Sequence, residues 1–197
     1  ESDPLEATDE KADGPAIVME TEAKGQVVVQ QALPDTVFAF PLTRAVPFPN
    51  LMMPLLLDSQ AQRDIVSKAE AHNGHLFVVL QKNPDQEKPG EQDLHEVGVL
   101  ARILKSLKLP DGNMSVMVQG LRRSRLVKVV RQKPHLVVRI REVVEIPARG
   151  DKAESLARLL QEQLRKLSEM QDQSDPGFAT AVLNLENPSH LADFAGS

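Results

Sequence analysis

From Glu96 to Leu126 apolar and polar side chains alternate with a period of two. Val97, Val99, Ala101 and Ile103 fall on one face, and Met114, Val116 and Val118 on the matching face of a following segment, which is the pattern of a half-buried ribbon. Between the two segments, Leu109-Pro110-Asp111-Gly112-Asn113 supplies a reversal, because proline presets φ and Asp-Gly tolerates positive φ. The pattern predicts two long strands joined by this turn and followed by a basic third strand. Leu121 to Val130 and His135 to Ile146 read as a further antiparallel pair, with Leu136, Val138, Ile140, Val144 and Ile146 on a common face that Glu142 interrupts.

Upstream, Val37 to Phe40 reads as a first strand. Pro41, Pro47, Pro49 and Pro54 then confine the chain to an irregular or edge path, since proline cannot donate to a central ladder. Ser59 with Gln62 forms a capping box, and Asn73-Gly74 closes the helix of about 59 to 72 that it opens. His75 to Leu80 is a short apolar strand, and Lys82 to Asp93 a surface loop. Six or so strands around one inserted helix suggest a small barrel or pseudo-barrel, whose closure hides strand edges.

Composition changes at Pro147-Ala148-Arg149-Gly150. From Asp151, with Glu154 completing a second capping box, Leu156, Leu159, Leu160, Leu164, Leu167 and Met170 recur at helical spacing. Each such side chain gains roughly 1.5 to 3 kcal/mol on full burial, so this face requires something to pack on. Asp175-Pro176 and Asn187-Pro188 each place a capping residue before a proline, which predicts two more short helices. The expected organisation is therefore a leader over 1–32, a β subdomain over 33–147 and a helical subdomain over 148–197. A start at Glu1 and an end inside an amphipathic pattern suggest a piece of a longer protein.

Charge changes the picture at the N-terminus. Residues 1–24 carry eight acidic side chains against Lys11 and Lys24, a net −6 on a chain whose total is −5. A segment so charged and so poor in large apolar groups reads as a solvated, mostly flexible tail, although Ile17-Val18-Met19 and Val27-Val28-Val29 around Lys24-Gly25 could close an extra hairpin. The chain has no Cys, Trp or Tyr. Disulfides, thiolate metal sites and cysteine nucleophiles are thereby excluded, and a reducing compartment is favoured. No apolar run is long enough to span a membrane and no signal peptide precedes the domain, which makes a cytoplasmic location the expectation.

The chain contains no Walker A loop, no G-x-G-x-x-G, no H-E-x-x-H and no G-x-S-x-G, so common phosphate, zinc and nucleophile-elbow chemistries lack a carrier. No catalytic, cofactor or metal residues are assigned. His72 and His75 bracket a helix end without a neighbouring carboxylate or third histidine, which fits a helix-terminal role better than ligation. Ser67-Lys68 pairs a nucleophile and a base only in sequence, since adjacent helical residues point apart. Asn113-Met114-Ser115 matches a glycosylation acceptor with no secretion signal behind it and is set aside. Arg122, Arg123 and Arg125 head a basic stripe that could neutralise phosphates. Against nucleic acid stand the acidic pI near 5.6 and the lack of interleaved aromatics, and the plainer reading is a solvated face or an acidic protein neighbour.

The segments FPLTRAVPFPNLMMPLLL (40–57), HEVGVLARILKSLKLPDG (95–112), VMVQGLRRSRL (116–126) and LNLENPSHLADF (183–194) together resemble the N-terminal substrate-binding region of Lon, the ATP-dependent protease, over about residues 33–197. The most specific pieces are Glu96-Val97-Gly98, the Leu107 to Gly112 turn and Gly120-Leu121-Arg122-Arg123. Thr43-Arg44, where the family usually has Arg-Asp, together with Pro47 and the acidic leader, are departures of the kind a divergent paralogue carries. The resemblance implies an α+β fold, a PUA-like β-barrel or pseudo-barrel followed by a helical subdomain. It also implies a hexameric full-length protein whose AAA+ module, with ATP and Mg, and serine-lysine protease module lie downstream and are absent from this segment.

The function expected on that basis is substrate recognition and regulation, the capture of unfolded, damaged or regulatory polypeptides for protein quality control. Capture would rely on exposed apolar side chains, and the candidates are Phe48, Leu51, Met52 and Met53, where prolines hold an apolar stretch off the regular sheet and methionine offers adaptable contacts. Ordinary core is the plainer reading of those four. The competing expectations are a stand-alone LON-domain adaptor without protease activity and a PUA-like nucleic-acid-binding module.

Overall fold

The computed structural model describes residues 33–45, 47–86, 88–109, 114–146, 150–170, 185 and 187–196. The proposed leader hairpin, the turn at 110–113 and the helix expected at Asp175-Pro176 lie outside these residues.

Six strands form one mixed sheet: β1 (Thr36–Leu42), β2 (Met52–Leu57), β3 (His75–Leu80), β4 (Val97–Lys108), β5 (Met114–Arg131) and β6 (Val137–Glu142). Their order is β2-β5-β4-β3-β1-β6, and β6 pairs again with β5, so β1, β3, β4, β5 and β6 make a closed circuit of pairings with β2 added on the flank of β5. All contacts are antiparallel except β1 with β3, whose connection runs through β2 and the helix α1 (Gln60–His72).

The His75–Leu80 strand shows why alternation is not universal here. Leu76, Phe77, Val78 and Val79 are all fully buried, so β3 is covered on both faces and reads as a continuous apolar run. Leu76 and Val78 join Phe40, Leu55, Leu57, Ala101, Val116 and Val118 in the main core, which Ile65, Val66 and Ala69 of α1 complete. The helix starts as expected, with the Ser59 side chain accepting from Gln62 N–H and the Gln62 side chain returning to the Ser59 N–H. It ends at His72 with Asn73 as its C-cap at negative φ, and the next residue, Gly74, takes φ +69°.

Three expectations are corrected. The basic third strand is the continuation of the second: β5 runs without a break, and the extra residue Leu121 is absorbed where the register with β4 shifts between Leu100 and Ala101. The strand expected to reach Ile146 stops at Glu142, and Val144 and Ile146 are 80% and 91% exposed because the last bond to β5, from Val143 N–H to Arg123 C=O, is already made. Val97, placed on the buried face, is substantially exposed at the start of β4.

The prolines are accommodated by geometry. The Ala39 N–H donates to Leu136 C=O on the β6 side of β1, so two residues on Pro41 turns its missing donor to the same side, past the end of the β6 pairing. Pro54 sits inside β2, an edge strand among the described residues, while 43–45 and 47–51 are irregular.

The helix α2 (Asp151–Met170) begins one turn-position earlier than a capping box on Asp151 requires, with Gly150 C=O accepting from Ala153 and Glu154 N–H. The last helix, α3 (Pro188–Gly196), is capped by Asn187 Oδ1, which accepts from Ser189 N–H at 2.8 Å. Leu164 and Leu191 meet between the two helices with Ala157, Leu160, Leu185 and Phe194 around them. The remaining leucines of the α2 stripe, Leu156, Leu159 and Leu167, stay more than half exposed.

Candidate functional site

The segment leading into β2 is held by its backbone. Asn50 N–H donates to Gly120 C=O at 2.8 Å and Gly120 N–H donates to Leu51 C=O at 2.9 Å, while Asn50 adopts a left-handed φ of 64°. This close approach requires glycine at 120, where a Cβ would come within 2.1 Å of the Phe48 carbonyl oxygen.

From that anchor β2 alternates. Met53, Leu55 and Leu57 turn inward onto the core, whereas Met52, Pro54 and Leu56 lie on the outer face, Met52 at 66% and Leu56 at 58% exposure. Cross-strand pairing extends this face: Pro54 lies opposite Met117 of β5, and Leu56 opposite Ser115, which in turn lies opposite the partly exposed Leu107 of β4. Met52, Pro54, Leu56, Met117 and Leu107 thus form an apolar surface at one edge of the sheet.

The four sequence candidates are not brought together. Met52 belongs to the outer surface, Met53 packs against the core, Leu51 is half-buried, and Phe48 turns toward α3, where its ring meets Gly196. Leu56 went unnoticed because residues 51 to 57 are apolar throughout, so a period of two leaves no trace in residue type.

Among the described residues no strand pairs with the outer edge of β2, and that edge is itself incomplete. With Leu51 C=O bonded to β5, strand alternation sends the backbone groups of Met53, Leu55 and Leu57 to β5 and those of Met52, Pro54 and Leu56 outward. The middle outward position is proline and offers no N–H, a device that blunts an edge against further pairing.

The basic stripe is paired in space with acids that are distant in sequence. Arg122 donates to Glu142 at 2.5 Å, Arg125 to Glu96 at 2.9 Å, and Arg123 to Glu145 at 2.6 Å and also to Asp193 of α3. Hydrogen bonding to Asp193 above all pushes the Arg123 guanidinium further above its ordinary pKa, against the opposing effect of burial. Arg123 also lies 5.8 Å from the centroid of the Phe48 ring, and Asn50 Nδ2 is 3.2 Å from His190 Nε2, so α3 is fastened to the segment before β2 by several contacts at once. Three arginines committed to carboxylates make a poor phosphate-binding stripe.

His75 is a structural group. Its Nδ1 lies 2.6 Å from Asn73 C=O, which can only accept, so Nδ1 carries the proton and the buried Nε2 is left without a partner. Burial holds its pKa below 6.5, opposed by the bond to Asn73 and assisted by the Arg102 charge. Among the described residues no group of three or more His, Asp or Glu side chains is placed to hold a metal ion, and no helix is long and apolar enough to cross a membrane.

This arrangement of sheet and helices has known counterparts. Residues 36–197 match the profile of the ATP-dependent protease La (LON) substrate-binding domain, and the chain belongs to that family. It is similar to Lon protease of Geobacter metallireducens, with 31% identity over 84% of this chain and 20% of the relative, and to Lon protease 2 of Myxococcus xanthus, with 32% identity over 94% and 23%. The chain therefore spans about a fifth of the length of these relatives. Among solved structures it resembles the N-terminal domain of Mycobacterium avium complex Lon protease, with a TM-score of 0.66 and 26% identity over 82% of this chain and 81% of that one. The Lon N-terminal domain protein from Xanthomonas campestris shares the fold at a TM-score of 0.51 and 19% identity.

Proposed function

We propose that this domain captures unfolded or degron-bearing polypeptides for an ATP-dependent serine protease, and that the outer face of β2 is where it grips them. Membership in a substrate-binding family supports a polypeptide partner. The observation that carries the location is the exposed apolar row Met52, Pro54 and Leu56, continued by Met117 and Leu107, on a sheet whose opposite face is already buried. Unfolded chains share apolar segments rather than a fixed motif, and methionines adapt to varied partners. The closed circuit of five strand pairings supports a PUA-like barrel. ATP-driven unfolding, peptide hydrolysis and hexamer formation would belong to downstream modules, and likeness to proteins called Lon protease favours that arrangement over a stand-alone adaptor.

The test is titration of a permanently unfolded protein onto the domain, observed by methyl NMR. Met52, Leu56 and Met117 should shift while core methyls such as Val116 do not, and the double variant Met52→Asp, Leu56→Asp should weaken binding about tenfold or more while changing stability by no more than about 0.5 kcal/mol, as exposed positions do. Binding that persists unchanged in this variant would place the grip elsewhere. Sequence read beyond Ser197 separates the protease from the adaptor.

A further inference from the structure

A second feature lies away from β2, where the end of α1 overhangs the corner formed by β1, the end of β5 and the start of β6. A cavity of about 660 Å³ opens there, with Phe38, Val130 and Val137 supplying apolar walls and Lys68, His72 and Arg131 supplying cationic or protonatable groups. Among the described residues that line it there is no carboxylate.

Two observations bear on these cations. Arg122, Arg123 and Arg125 of the same β5 strand are each matched by a carboxylate, whereas among the described residues Lys68 and Arg131 have none. Lys68 and His72 stand one helical turn apart near the C-terminal end of α1, where cations also complement the helix dipole. That explanation does not extend to Arg131, which reaches the same cavity from a strand.

We propose that this cavity binds a carboxylate carried on an apolar stretch of polypeptide, with Arg131 and Lys68 receiving the carboxylate and Phe38, Val130 and Val137 the neighbouring apolar side chain. The inference rests on the reading of the domain as a polypeptide binder and adds a chemical preference to it. A guanidinium suits a carboxylate because its planar fork can donate two parallel hydrogen bonds. The carboxylate has two sources, a free chain terminus or an internal Asp or Glu, and the chemistry is common to both.

The experiment uses the full 197-residue chain and fluorescence anisotropy with three labelled peptides of one apolar sequence: one ending in a free carboxylate, one amidated, and one amidated with an internal Asp. The free acid should bind about tenfold more tightly than the amide, the loss of one charge-assisted bond being on that scale. Arg131→Glu and Lys68→Glu, both at exposed positions, should abolish the difference while leaving the amide unaffected. Tight binding of the internal-Asp peptide assigns the site to acidic side chains, and weak binding assigns it to chain termini. Equal affinities for all three peptides, or a preference that survives both substitutions, overturn the cavity. Failure of the wild-type chain to bind any peptide or an unfolded protein would instead overturn the reading beneath it, and Met52→Asp, Leu56→Asp should weaken acid and amide alike.

Discussion

The guanidinium of Arg123 on β5 and the carboxylate of Asp193 on α3 form an ion pair across 70 positions of sequence, with Asp193 only 6% exposed. This pair differs from its neighbours in kind. One Asp193 oxygen bonds Arg123 and the other, Oδ2, is buried without a partner, so the carboxylate depends on a single cation for its compensation. Removing that cation by Arg123→Met should cost about 2 to 4 kcal/mol in urea unfolding, because a buried charge is then left alone. Arg125→Met removes the partner of exposed Glu96 and should cost less than about 1 kcal/mol. Equal effects would mean that the buried Arg123–Asp193 pair stabilises no more than an exposed one.

Gly120 predicts a different kind of loss. In Gly120→Ala the new methyl meets backbone, the Phe48 carbonyl, rather than a flexible side chain that could swing away. Thermal unfolding should show a destabilisation of about 1 to 3 kcal/mol. The Asn50 and Leu51 amides, whose hydrogen bonds bracket the site, should exchange faster than in the parent.

Pro54 makes a prediction about solubility. Replacing it with Val restores an N–H at the central outward position of β2 and completes the free edge. Sedimentation velocity at high concentration should then reveal more self-association than in the parent, at nearly unchanged stability. A monomeric Pro54→Val would mean that the edge is protected by something other than the missing donor.

His75 gives the domain a pH dependence of known sign. Its folded pKa lies below 6.5, so the unfolded chain binds the proton more readily. The contribution of neutral His75 is complete above pH 6.5 and is lost as pH falls below that value. His75→Gln should be less stable at pH 7.5, since it forfeits the bond to Asn73, yet should lose less further stability between pH 6.5 and 5 than the parent. Parallel pH profiles would exclude His75 as the source.

These positions also show what sequence carries. Gly98 and Gly120 stand in two of the three most specific stretches of the family resemblance, and each answers to a close approach, Gly98 to the Val78 carbonyl and the Phe77 ring. The capping box at Ser59 and the strands at 97–108 and 75–80 were legible because each depends on near neighbours, whereas the alternation expected for β4 gives way to four consecutive buried residues, Gly98 to Ala101. The fusion of two expected strands into β5 was hidden because Gly120 and the basic residues after it resemble a break, while the continuity comes from β4, β2 and β6 pairing along its length. The arginine stripe looked unpaired for the same reason: Glu96, Glu142, Glu145 and Asp193 reach it only through the fold. At the candidate site Met52 was found by its chemistry, but its separation from Met53 is a matter of strand parity that an all-apolar segment conceals.

The β1 strand acquires both of its neighbours late. β3 follows it by about 40 residues and β6 by about 100, so its ladder stays incomplete until long after β1 itself has been made. Until then Val37, Ala39 and Phe40, all sealed in the finished domain, face solvent. A domain of a substrate-binding family thus passes through its own synthesis with apolar strands uncovered, in need of the protection that nascent apolar strands require.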